Sequence, residues 1–132
     1  MPVKAFTRNA SIQLTATTYT VKASETGRTF VQTLSSGTQT YTLPPIARNP
    51  AGLVYSFICG DVGGEINVST ASSADTIKAK ATEDAGAAIS STTGIKNSGA
   101  GGTNVLGDHI TLVSDGVAIW YMLGQSGTWA VQ

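Results

Sequence analysis

The sequence predicts an all-β protein: an antiparallel β-sandwich or jelly-roll-like barrel of about nine short strands, preceded by an extended N-terminal arm. Three observations predict it. Apolar and polar residues alternate with a period of two along much of the chain; turn residues such as Pro44-Pro45, Gly63-Gly64 and Asp115-Gly116 recur at short intervals; and no segment sustains a helical period.

Residues 1–16 carry Val3, Phe6, Ile12 and Leu14 at spacings that suit neither a helix nor a sustained strand, so they read as the arm, lying on its own domain or docking on a neighbour. Residues 17–132 read as a single β domain. In 17–24 Tyr19, Val21 and Ala23 oppose Thr18, Thr20 and Lys22, and Ser24-Glu25-Thr26-Gly27 ends the strand. Strands over 28–34 and 39–43 follow, the second stopped by Pro44-Pro45. Residues 53–59 are apolar on both faces except at Ser56, the pattern of a strand central to a sandwich or to a subunit contact. After the turn 60–64, residues 65–70 alternate. So do 76–81, with Lys78 and Lys80 pointing out and discouraging edge pairing. Residues 82–107, rich in Ala, Ser, Thr and Gly, read as one long loop with room for a helical turn near 83–88. Strands over 109–114, 117–123 and 128–131 close the chain. Asp115-Gly116 between the first two is a hairpin signal.

Composition narrows the function. Of 132 residues 41% are hydrophobic but only 12% charged, and eight Lys+Arg balance eight Asp+Glu. A net charge of zero leaves no field to draw in nucleic acid or an anionic membrane surface. It also leaves little to hold copies apart, which suits a protein that lives in an assembly. Cys59 has no second cysteine to pair with and sits in an apolar run, as a buried small hydrophobe would. The start Met-Pro-Val-Lys lacks an apolar signal region and no stretch is apolar enough for a membrane span, so synthesis in a reducing cytoplasm and no membrane partner are expected.

Catalytic chemistry finds little material. The only histidine, His109, follows Asp108, but no nucleophile elbow accompanies the pair. One Cys and one His cannot build a zinc site, and Asp61, Glu65, Asp75, Asp108 and Asp115 fall on separate turns, where turn chemistry explains them. Ser98-Gly99-Ala100-Gly101-Gly102 lacks the Lys-Ser/Thr of a phosphate loop. No enzyme activity, metal or cofactor is expected. The aromatics Trp120, Tyr121 and Trp129 cluster in the closing hairpin, and alternation puts Trp120 and Tyr121 on opposite faces, one for the core and one for the surface.

The residues Thr40-Tyr41-Thr42-Leu43-Pro44-Pro45, then Ala51-Gly52-Leu53-Val54-Tyr55-Ser56-Phe57, and finally Gly107-Asp108-His109 through Ser114-Asp115-Gly116, Trp120-Tyr121 and Gly127-Thr128-Trp129 form a pattern. Over residues 39–131 it resembles small structural proteins of tailed bacteriophages: head decoration (cement) proteins, or modules of tail fibres and spikes. Ala118 and Ile119 stand where a polar turn residue is usual in such modules, implying a longer hairpin. The resemblance implies a virion location and no catalytic residues. The short single domain, without a repetitive shaft, favours the head. The expectation is a capsid decoration protein on the outer capsid surface, a homotrimer bound to the major capsid protein. Its candidate capsid or subunit contacts are Val3, Phe6, Ile12, Leu14, Trp120, Tyr121 and Trp129, with the loop 82–107. The alternative is a tail-fibre or tail-spike module whose Trp120, Tyr121 or Trp129 contacts host surface glycans.

Overall fold

Alternation makes short strands, and the turns between them decide which sheet each one joins. A computed structural model describes residues 12–80, 88–97 and 104–132. Its strands are β1 (Ile12–Leu14), β2 (Thr18–Thr20), β3 (Thr29–Gln32), β4 (Thr38–Thr42), β5 (Val54–Cys59), β6 (Glu65–Ser69), β7 (Thr76–Lys80), β8 (Ala88–Thr92), β9 (Gly94–Asn97), β10 (His109–Ser114), β11 (Ile119–Ser126) and β12 (Ala130–Val131). Short 3₁₀ turns cover Ala23–Glu25 and Ile46–Arg48. Among the described residues the chain is therefore mostly β, as its alternation predicts.

The strands form two open sheets, one ordered β1-β3-β5-β10-β11-β7-β8 and the other β12-β9-β6-β4-β2. Both are mixed, which corrects the antiparallel expectation. The pairs β1/β3, β3/β5, β2/β4, β4/β6 and β7/β11 are parallel, and the others antiparallel. The physical reason lies in the early turns. Rather than folding back as hairpins, 33–37 and 60–64 carry the chain from one sheet to the other, so odd strands stack on odd and even on even.

β3 and β4 thereby lie under β5 and β6 at a single sequence offset, Phe30 beside Phe57 and Tyr41 beside Val68. The two crossing turns lie against each other. Gly60 donates to the Gln32 carbonyl (2.8 Å) and Glu65 to that of Gly37 (2.8 Å). A Cβ at Gly63 would collide with the Ser35 carbonyl, and one at Gly64 with the Gln32 amide and the Leu34 carbonyl, so this contact requires glycine.

The buried faces of both sheets feed one hydrophobic cluster. From the seven-stranded sheet come Phe30, Tyr55, Phe57, Ile110, Leu112 and Trp120; from the other, Tyr41, Ile66, Val68 and Ile95. The Tyr41 and Phe57 ring centroids are 5.1 Å apart and those of Phe30 and Tyr41 5.5 Å, so aromatic contacts bridge the sheets directly.

Several boundaries differ from the sequence reading. Part of the segment read as the loop 82–107 forms β8 and β9, whose mostly small residues mask a strand pattern; the helical turn near 83–88 falls almost wholly outside the described residues. The segment 17–24 stops being a strand at Thr20 because Glu25, buried, accepts the Tyr19 hydroxyl (2.7 Å) and the Lys22 amide (2.9 Å), pulling the chain into a 3₁₀ turn. The last residues of the arm, Ile12–Leu14, pair with β3 as an edge strand. The segment 117–123 becomes β11, beginning later and running to Ser126. Replacing Phe57 with Ala is expected to lower the unfolding free energy by about 3–5 kcal/mol in a urea titration, the cost of a cavity where the two sheets meet.

Candidate interaction surface

The two sheets differ in what they turn outward. In the five-stranded sheet, where Gln39, Tyr41, Ile66, Val68, Ile95 and Asn97 are buried, the opposite face carries rows such as Thr18–Thr40–Asn67–Lys96 and Thr38–Glu65. These side chains are polar and suit contact with water. In the seven-stranded sheet the outward residues include Val31, Val54, Ile58, Val113, Ile119, Tyr121 and Leu123. Ladder register aligns Lys78, Tyr121, Val113 and Val54 in one row and Val31, Ile58 and His109 in another. Between them Ser56 and Thr111 share a 2.8 Å hydrogen bond.

Tyr121 is 43% exposed and Leu123 65%. Leu123, two residues after Tyr121, lies on the same outward side of the strand, and the β10/β11 register shift between Thr111 and Leu112 leaves it without a partner residue on β10. At the hairpin tip Val117 is 76% exposed. The Asp115 carboxylate accepts the backbone amides of Ile119 (3.0 Å), Val117 (2.8 Å) and Ala118 (3.0 Å), and these bonds hold its pKa below the ordinary 3.8. The Asp115 amide donates to the Ile119 carbonyl (2.9 Å), so the loop is longer than Asp-Gly alone.

Only some of the expected contact residues reach this surface. Trp120 and Trp129 have no exposed area: the Trp120 ring lies 5.9 Å from that of Tyr55, and the Trp129 indole donates to the Ser126 carbonyl (3.1 Å). Both side chains are core, so a contact made through either ring would require opening the sheets. The alternation argument held, with Trp120 inside and Tyr121 outside. Ile12 is half-buried against the core at the sheet edge, and Leu14 ends the same strand. Val3 and Phe6 lie outside the described residues. Sequence reasoning missed Leu123, Val113 and Val54 as surface residues. For Val54 the signal was the run of apolar residues on both faces of 53–59.

The titratable groups are engaged in structure. Asp108 is buried, its carboxylate accepting the Asn97 side-chain amide (3.1 Å) and the Val105 backbone amide (2.9 Å). Alternation turns His109 to the other side, where its Nδ1 meets the Gly107 carbonyl (3.1 Å). The carboxylate therefore does not orient the imidazole. Asp61 accepts the Gly63 amide (2.8 Å) and Asp75 the Ile46 amide (3.1 Å). Among the described residues no three of His, Cys, Asp and Glu converge as a metal site would need, and no helix is long and apolar enough to cross a membrane. Cys59 is buried, and desolvation pushes its thiol pKa up.

The chain matches no protein-family model and no curated protein. The two outer faces differ: Val54, Val113 and Tyr121 align on the seven-stranded sheet, whereas threonines and their polar neighbours align on the five-stranded one.

Two outcomes test this surface. Tyr121→Ser is expected to change stability by no more than about 0.5 kcal/mol, whereas Trp120→Ala costs about 3–5 kcal/mol, both read from chemical denaturation. The depressed Asp115 pKa stabilises the fold above the unfolded-state value, and that contribution disappears as pH falls through the folded value. Asp115→Asn, which keeps an acceptor oxygen but does not titrate, should therefore flatten the loss of stability on acidification below 3.8, measured by thermal unfolding at stepped pH.

Proposed function

We propose that the protein is a structural component of a bacteriophage virion, a decoration protein that binds the mature capsid and stabilises it. The observation that carries this reading is the apolar outer face of the seven-stranded sheet, with Tyr121, Val113 and Val54 aligned and Leu123 beside them, on a chain of zero net charge. The resemblance of residues 39–131 to phage head decoration proteins supplies the setting. In this reading the two sheets are the layers of a β-sandwich, the copies form trimers, and the Tyr121 face together with the arm contacts the major capsid protein. A protein that binds only the mature lattice adds its binding free energy to the stability of the shell by mass action. The reading includes no catalytic step and no cofactor.

The alternative, a tail-fibre or tail-spike module that binds host glycans, rests on Tyr121, because stacking on a sugar needs an accessible ring and neither Trp120 nor Trp129 offers one. Co-sedimentation with purified capsids tests the leading reading. Wild-type protein is expected to pellet with capsids in numbers comparable to the major capsid protein, and Tyr121→Ser combined with Leu123→Ser to stay in solution. Equal binding by the double variant overturns the role of this face. A copy number per virion far below that of the major capsid protein overturns the shell-coating reading and favours the tail.

A further inference from the structure

We propose that a single buried water molecule joins β10 to β11 on the inner side of the seven-stranded sheet, accepting the Trp120 indole N–H and bonding the Ser114 hydroxyl. The inference concerns the chain's own hydration and stands independently of the capsid reading. It starts from two polar groups that the protein leaves unmatched. Trp120 has no exposed area and Ser114 is 4% exposed, and neither Nε1 of the one nor Oγ of the other has a hydrogen-bond partner in the chain. Buried polar groups are ordinarily paired, either with protein or with ordered water. The second tryptophan follows that rule, its indole donating to the Ser126 carbonyl (3.1 Å).

Ladder register brings the two unmatched groups together. Ser114 and Trp120 are directly opposed residues of β10 and β11. The Ser114 amide and carbonyl are both engaged on the other side, donating to the Leu53 carbonyl (2.9 Å) and accepting the Gly52 amide (3.0 Å), while the neighbouring Asp115 amide bonds the Ile119 carbonyl (2.9 Å). Ser114 and Trp120 are therefore a non-hydrogen-bonded pair, the kind in which opposed side chains come closest, with Cβ atoms about 4.5–5.5 Å apart. The Trp120 and Tyr55 ring centroids lie 5.9 Å apart although β10 runs between their strands, so the rings meet over β10. They do so beside Ser114 and Leu112, their partners in the ladder.

Chemistry selects water as the ligand. An indole offers only a donor, whereas a hydroxyl both donates and accepts. One water molecule completes both: its oxygen accepts the Trp120 N–H, and it donates to the Ser114 oxygen or accepts from the hydroxyl. The residues next to the pair, Ile77, Leu112, Leu53 and Tyr55, belong to the hydrophobic cluster, so an ion held there would find no counter-charge among them. The adjacent pair in the same ladder is Val113 and Tyr121 on the outer side, so the bridge fixes the two strands directly beneath that row.

The test is a crystal structure of the full chain at a resolution that orders internal water, paired with rotating-frame Overhauser spectroscopy of the ¹⁵N-labelled protein in solution. The expected result is one density peak within about 2.7–3.2 Å of both Trp120 Nε1 and Ser114 Oγ. In solution the Trp120 indole proton is expected to show a direct cross-peak to water that the Trp129 indole proton lacks, the two signals being assigned with Trp129→Phe. In Ser114→Ala the Trp120 cross-peak is expected to be lost, with an unchanged Trp129 signal reporting that the variant is folded. A crystal structure with no density shared by the two atoms overturns the proposal, as does one in which Trp120 and Ser114 bond each other directly. The absence of a water cross-peak at Trp120 in the unmodified chain also overturns it. A cross-peak of full strength in Ser114→Ala overturns the bridge, because the hydroxyl would then hold nothing.

Discussion

The interleaving of Phe30, Tyr41 and Phe57 between the two sheets is the contact on which the rest of the architecture depends. Phe30 and Phe57 are parallel-ladder neighbours in one sheet, and Tyr41 reaches both from the other. The early strands alternate between sheets, so neither parallel stack can complete its hydrogen bonds unless the other forms as well. Long-range pairing of this kind must overcome loop-closure entropy before packing rewards it. The glycines at 60, 63 and 64 make the stacking possible by letting one crossing turn rest on the backbone of the other. Polar groups inside the stack are matched in turn: the Gln32 side chain donates to the Leu34 carbonyl (2.7 Å) and accepts from the Asp61 amide (3.3 Å), and Gln39 accepts the Tyr41 hydroxyl (2.9 Å). Satisfied in this way, buried amides hold register that apolar packing alone would leave loose.

A second polar knot secures the other half of the chain. Asn97 in β9 donates to Asp108 at the start of β10 and to the Thr128 carbonyl (3.0 Å) before β12. Gly127, at φ 85°, passes so close to the Asp108 carboxylate that any side chain there would strike it. This buried carboxylate ties together strands that belong to different sheets. Removing it would leave the Val105 N–H and one of the two Asn97 amide hydrogens without an acceptor, and an unsatisfied buried group costs about 1–3 kcal/mol. The Asp108-His109 pair, which in sequence looks like a carboxylate beside a base, is thus a structural clamp next to an outward-facing ring.

The functional reading follows from how the core is filled. β5, β10 and β11 bury large residues on their inner side and still carry Val54, Ile58, Val113, Ile119, Tyr121 and Leu123 on the other. Energetically the inner set builds the fold, and the outer set lies outside that core. The opposite outer face, built on threonines and their polar neighbours, shows that the same sequence can finish a sheet with a solvated surface.

Much of the secondary structure was legible because a period of two needs only local sequence. β3, β4, β5, β6, β7 and β10 fall where alternation puts them, and the opposite fates of Trp120 and Tyr121 follow from the geometry of a strand. Residues 88–97 escaped notice because Ala, Ser, Thr and Gly carry little hydrophobic pattern, and their strand character comes from pairing with β7 and β6. The parallel topology escaped as well. A turn such as 33–37 or 60–64 can close a hairpin or cross to a second sheet, and the choice rests on whether Phe30 and Phe57, residues far apart in sequence, meet on one ladder. The outward apolar face was half legible: apolar residues on both sides of 53–59 pointed to a strand central to a sandwich or to a subunit contact, but not to which side the core would take. What the sequence by itself determined is a chain of short, weakly charged strands with aromatics on defined faces, because these depend on neighbours one or two positions away. Only the tertiary structure decided which strands pair, in which direction, and which apolar side is left outward, because those outcomes depend on contacts between residues that no local period connects.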